Sequence, residues 1–135
     1  MIAKFFTIEE ANKAIPELKR VLKRLKKQKK KVDFIEYEIS LSKLTNELKI
    51  IYEGEKNNIN RKKELNENII ELNKTIKKVH GFGCFLKEVD IGVVDFLSEK
   101  DGRPIFLCWF EGENEIAYYH EIDSGYKERK YLWFE

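Results

Sequence analysis

Apolar residues recur at Ala11, Ala14 or Ile15, Leu18, Val21 or Leu22, and Leu25, with charged residues filling the gaps. Steps of three and four predict one buried stripe along an α-helix. Thr7 followed by Glu10, with Phe6 just ahead, is a capping-box pattern and marks the start of that helix. Pro16 removes one backbone bond, to the carbonyl of Asn12, and predicts a bend. The stripe runs on through Val32, Ile35 and Ile39, then changes phase to Leu41, Leu44, Leu48 and Ile51. Asp33 with Glu36 imitates a second capping box. A lysine-rich approach makes a poor turn, however, so one helix of ~69 Å is favoured over two. Gly54 to Asn60, GEKNNIN, is the expected turn, because Gly and Asn tolerate left-handed conformations. A second helix then carries Leu65, Ile69, Leu72, Ile76 and Val79 and ends at Gly81, where a C-cap glycine belongs. At ~33 Å it covers only the far half of the first helix. The stripe from Ala11 to Leu25 therefore needs cover from the tail or from a second copy of the chain.

After Gly83 the period changes from helical to alternating. Cys84–Val89, Val93–Leu97, Pro104–Phe110 and Glu115–Glu121 predict four strands separated by turn-rich DIG, EKDG and EGEN. Asp101-Gly102 is a strong hairpin signal. Centring the last turn on Gly112-Glu113 pairs Trp109 with Ile116, Leu107 with Tyr118 and Ile105 with His120. Trp109 and His120 then share one face, and Cys108, Tyr119 and Glu121 share the other. Both faces are apolar, so both require cover.

The expected fold is α+β, a single domain over residues 1–135. A long antiparallel helical hairpin, coiled-coil-like, spans 7–81 with its turn near 54–60, and a small β meander of about four strands fills 82–135.

Composition refines this picture. A charged share of 37% is high for a globular chain and suits elongated helices with much solvated surface. No window approaches the ~18 consecutive apolar residues of a membrane span. The start, MIAKFFTIEE, lacks an apolar export core, so a cytoplasmic protein with reduced Cys84 and Cys108 is expected. The net charge of +2 hides an uneven distribution: residues 1–33 carry eleven Lys/Arg against four Asp/Glu, and residues 82–135 carry six against twelve.

The basic excess lies in Lys19–Lys31, with Lys19, Arg20, Lys23, Arg24, Lys27, Lys30 and Lys31 as a candidate surface. Such a run neutralises phosphates, but no stacking aromatic lies within it. A solvated face, or docking near the acidic tail, explains it as well.

The best polar constellation follows the last predicted strand. His120, Glu121 and Asp123, with Arg129, Arg103 and Trp109, form the candidate ligand site, because strand ends and loops favour functional groups. A structural network of the same residues is the competing expectation, and no catalytic residue is assigned. His80, Cys84, Cys108 and His120 have the types of a zinc site. Their spacing is not that of a paired knuckle, and the register above puts Cys108 and His120 on opposite faces. No metal and no cofactor are expected. Gly81-Phe82-Gly83 follows a helix instead of opening one, so it is no phosphate loop.

The phrases FFTIEEANKAIPEL, IGVVDF, DGRPIFLCW and IAYYHEIDSGYKER, in that order, resemble the uncharacterised bacterial and archaeal proteins grouped as domain-of-unknown-function 2203. By that resemblance the family's characteristic positions fall on Pro16, Gly92, Asp95, Phe96, Asp101, Gly102, Arg103, Cys108, Trp109, His120, Glu121, Asp123, Gly125 and Arg129. Tyr119 stands where a tryptophan is expected in many relatives, and the lysine tract stands where relatives mix Arg and Glu. The resemblance implies no activity.

The leading functional expectation is a cytoplasmic, non-enzymatic interaction or scaffold module that forms a homodimer, with further protein partners open. The alternative is a small-ligand or metal-binding protein or enzyme with its site at the end of the last strand. Nonspecific nucleic-acid binding through Lys19–Lys31 is the third.

Overall fold

A computed structural model describes residues 4–47 and 54–133. The capping box forms as its sequence requires. The Thr7 N–H donates to Glu10 Oε1 and the Glu10 N–H donates to Thr7 Oγ1, each at 3.1 Å. Helix α1 then runs unbroken over Ile8–Glu47, through Pro16 and the lysine tract. Asp33 starts no new helix. It lies mid-helix and pairs with Lys29 one turn back at 3.1 Å.

Helix α2 spans Gly54–Gly81, ~42 Å, so GEKNNIN is its first two turns and not a loop. Glycine and asparagine cost a helix at most about 1 kcal/mol each, least near its start, which a helix of this length absorbs. The expected stripe positions Leu48 and Ile51 lie outside the described residues. Arg61 of α2 reaches Glu38 of α1 at 2.7 Å, while Val79 joins the core around Leu18, Leu22 and Leu25. That is the order of contacts an antiparallel pair requires.

Five strands form one antiparallel meander in chain order: β1 Phe85–Glu88, β2 Val93–Lys100, β3 Arg103–Phe110, β4 Tyr118–Glu121 and β5 Lys130–Tyr131. Asp101 and Gly102 take φ of 52° and 77°, the two positive values that a tight two-residue hairpin demands. At Gly92, φ is 78°, and a Cβ there would lie 2.7 Å from the Glu111 Cβ. The tight approach lets the Glu111 N–H donate to the Gly92 carbonyl at 2.8 Å.

The β3–β4 register differs from expectation by one residue. Ile105 pairs with Glu121, Phe106 with His120, Leu107 with Tyr119 and Cys108 with Tyr118. The connection does not close on a two-residue turn at Gly112-Glu113. The Trp109 indole N–H donates to the Glu113 carbonyl at 2.9 Å, and the Phe110 N–H donates to the Glu113 carboxylate at 2.7 Å. The Ile116 N–H donates to Asn12 Oδ1 at 2.7 Å, so this stretch turns to the helix and not to β3. Because side chains alternate, one residue of slip exchanges the two faces of β4.

The inner face therefore carries Val94, Phe96, Ile105, Leu107, Trp109 and Tyr119. They bury the α1 stripe of Ala11, Ile15, Leu18, Leu22 and Leu25. The sheet, together with Val79, Leu72 and Ile76 of α2, covers that stripe, so the stripe gives no reason to invoke a second copy.

Candidate functional site

The outer face of the sheet places Asp95 of β2, Cys108 of β3 and His120 of β4 together. Asp95 pairs directly with Cys108, and His120 is two residues diagonal to Cys108. A donor atom from each lies within 4.8 Å of the others. All three are buried, at 1%, 0% and 2% exposure.

The strands dictate this crowding. Val93-Val94-Asp95-Phe96 is a run buried on both faces, so its single carboxylate cannot reach bulk water. A buried carboxylate requires a partner, and His120 supplies it with Nε2···Oδ2 at 2.8 Å. The other ring nitrogen, Nδ1, lies 2.9 Å from the Glu121 carbonyl. A carbonyl only accepts, so Nδ1 carries a proton, and one further proton is shared between Nε2 and Asp95. The same carbonyl accepts from the Ser124 N–H at 3.1 Å and the Ser124 hydroxyl at 3.2 Å. It thus ties the imidazole orientation to the loop beyond β4. The Phe106 ring packs on the imidazole with centroids 5.4 Å apart.

Asp95 Oδ1 is the unusual atom. It is buried and has no hydrogen-bond partner. Asp95 and His120 both line a cavity of about 220 Å³, together with Lys87, Phe106, Ile122, Ser124, Gly125 and Tyr126. A buried polar atom without a partner in a native fold points to a water, an ion or a function.

A model of one protein family, described as an uncharacterized conserved protein (DUF2203), matches residues 4–132. The chain belongs to that family. No curated protein and no solved structure matches the chain. The family match spans helices and sheet alike, and the function of this DUF2203 chain is argued from its own geometry.

The residues singled out in the sequence divide into separate groups. Of the set His120, Asp123, Arg129, Glu121, Trp109 and Arg103, only His120 lines the cavity. Glu121 faces the opposite side and receives Arg103 in a two-pronged pair, Nε to Oε1 at 2.7 Å and one terminal nitrogen to Oε2 at 3.0 Å. The Arg103 hydrogen bond holds the Glu121 carboxyl below the usual carboxylate range. Arg129 grips Glu113 at 2.8 Å, and its guanidinium sits 3.7 Å from the Phe110 ring centre and 4.1 Å from that of Tyr118. Asp123 is exposed in the turn after β4, and Trp109 is wholly inside the core. Trp109 is therefore no wall of a site shared with His120. The slipped register, not chemistry, had placed them together.

The four residues with zinc-site chemistry are likewise split. Cys84 lies in the inner core, its thiol donating to the Val79 carbonyl at 3.3 Å, while Cys108 lies on the outer face with His120. Burial pushes the Cys84 thiol up to about 12. Burial, then the Asp95 charge and a side-chain hydrogen bond with Asp95, also push the Cys108 thiol up, so neither cysteine is a ready nucleophile.

On α1, Arg20, Lys23, Arg24, Lys27, Lys30 and Lys31 are exposed and Lys19 is half-buried. Part of the tract docks on the acidic half of the chain: Lys26 pairs with Glu111 at 3.2 Å and Lys29 with Asp90 at 3.2 Å. Among the described residues, no helix is long and apolar enough to cross a membrane.

Sequence reasoning missed Asp95 as a site residue. Its signal was a lone charge inside the apolar run VVDF, since an Asp so placed is seldom buried without a purpose. Lys87, Ser124 and Tyr126 carried no comparable signal.

Proposed function

We propose that this DUF2203 chain is a ligand-binding protein of the cytoplasm and that its site is the cavity over Asp95 and His120. One observation carries this: Asp95, a buried carboxylate with one oxygen unpartnered, is among the residues that line an open cavity. Such an atom costs about 1–3 kcal/mol or more, and a ligand that satisfies it recovers the loss. The cavity of about 220 Å³ is small against the ~300–1,000 Å³ of drug-sized sites. Its occupant is therefore an ion or a molecule of few atoms and not a nucleotide. Two separate buried thiols fit a reducing compartment.

The test is backbone NMR of the full chain titrated with divalent cations, phosphate and small carboxylates. Shift changes are expected to centre on Asp95, Phe106, His120 and residues 122–126. Changes confined to other residues, or none with any probe, overturn the assignment.

A second reading has its own observation. Phe34 and Tyr37 are each 60% exposed, and Leu44, one heptad beyond Tyr37, is 51% exposed. Apolar side chains on one helix face at that spacing suit a coiled-coil seam with a second copy of the chain. Sedimentation velocity is expected to show a dimer that Phe34→Lys with Tyr37→Lys converts to monomer. A wild-type monomer up to the solubility limit removes this interface without touching the cavity.

A further inference from the structure

We propose that Asp95, Cys108 and His120 are three ligands to one divalent transition-metal ion of the zinc class, with the fourth position open to the cavity. This rests on the cavity being a ligand site and names its occupant. The donor set comes first. A carboxylate oxygen, a thiol sulfur and an imidazole nitrogen together suit zinc and its neighbours, whereas magnesium and calcium take oxygen donors alone.

The placement is compatible with a tetrahedral ion. Zinc bonds of ~2.0–2.3 Å put donor atoms roughly 3.3–3.8 Å apart. The three donors already lie within 4.8 Å of one another, and the closest pair, His120 Nε2 and Asp95 Oδ2, is 2.8 Å apart. Rotations of the side chains by about an ångström suffice.

The surroundings supply what such a site needs. A metal-binding histidine donates its second ring nitrogen to a carbonyl or carboxylate, which fixes the ring and aims the other nitrogen. Here the Glu121 carbonyl plays that part toward Nδ1, leaving Nε2 directed at Asp95. The carboxylate keeps one buried oxygen, Oδ1, without a partner. No hydrogen bond among the described residues reaches that oxygen, although the Cys108 thiol interacts with the same carboxylate, and a cation held by both would satisfy it.

Charge closes the account. One carboxylate, one thiolate and one neutral imidazole against a divalent ion give no net charge inside the sheet's outer layer. On binding, the thiol proton and the proton shared by Nε2 and Asp95 leave to solvent. Among the described residues the cluster has three members, which resembles exchangeable sites with three protein ligands more than closed four-ligand ones. Water or a small anion would take the fourth place, with Lys87 on the cavity wall.

The experiment uses the untagged full chain. Metal content is measured on the protein as purified, and EDTA-treated protein is titrated with Co²⁺. Saturation is expected at one Co²⁺ per chain, with a thiolate-to-cobalt band in the near ultraviolet and the intense visible bands of a four-coordinate ion, all displaced by Zn²⁺. Cys108→Ser is expected to lose the thiolate band and to weaken binding more than about 10-fold, the least that outer-shell changes cost such sites. Cys84→Ser, on the other face of the sheet, keeps both. Cadmium NMR of the wild-type chain reports a single sulfur ligand without any substitution, so misfolding of a variant does not blunt the test. Absence of these bands at saturating Co²⁺, or their persistence in a folded Cys108→Ser chain, overturns the metal assignment. If phosphate or a carboxylate still shifts residues 122–126 when Co²⁺ gives no bands, the cavity stands as a site and the metal does not. Silence in both titrations removes both.

Discussion

Trp109→Ala is expected to lower the unfolding free energy by about 4 kcal/mol, a large part of the ~5–15 kcal/mol of a domain this size. Trp109 has 0% exposure and sits on the inner face of β3 among Leu107, Val94 and the α1 stripe. Truncation removes that buried area and leaves a cavity which a sheet clamped to a helix cannot close. It also deletes the indole bond to the Glu113 carbonyl, one of the contacts that holds the β3–β4 connection in its extended route. In urea denaturation followed by circular dichroism, the midpoint should fall with an unchanged slope. The melting temperature should fall by roughly 15 °C. Trp133→Ala is the control, because Trp133 is 57% exposed and its loss should cost no more than ~0.5 kcal/mol. Equal effects of the two substitutions contradict the core position of Trp109.

The same residue shows where sequence ran out. The helical stripes, the Thr7–Glu10 cap and the Asp101-Gly102 hairpin are local signals, each written within a short stretch of sequence. They were legible, and so was the order of the first four strands. The β3–β4 register was not, because it depends on how many residues the connection consumes. The composition EGEN announces a turn but says nothing of Trp109 reaching Glu113 or Asn12 reaching Ile116. Parity then decides everything downstream: with one residue of slip, Trp109 passes from site wall to core.

The candidate site was half legible for the same reason. His120 stood out as a histidine beside carboxylates, but its partner was sought in Glu121 and Asp123, its neighbours in sequence. The observed partner, Asp95, lies 25 residues upstream and two strands away. Sequence proximity is a poor guide on a sheet, where diagonal neighbours come from different strands. Strand β5, of two residues, is too short to show any period. Gly54 to Asn60 misled because turn-forming composition was weighed without the length of the helix it opens.

His120→Phe should be the second most damaging substitution, and its effect should depend on Asp95. With His120 gone and no metal present, both oxygens of a carboxylate with 1% exposure have lost or lack a partner. Breaking a buried pair by removing one member costs about 3–5 kcal/mol, chiefly through the stranded charge. Removing both members is different. Asp95→Val suits the apolar run Val93-Val94 and the β-strand it occupies, and phenylalanine at 120 can pack against Phe106. In EDTA-containing buffer the double variant Asp95→Val/His120→Phe should therefore be more stable than His120→Phe alone. The coupling across the cycle should exceed about 2 kcal/mol. Urea denaturation of the four proteins gives that coupling directly. Additive losses mean that Asp95 and His120 do not depend on each other, and the site described on the outer face would lose its foundation. A strong coupling that shrinks when Zn²⁺ replaces EDTA links the pair to the ion, because an ion bound to the remaining ligands shelters a carboxylate that has lost its histidine.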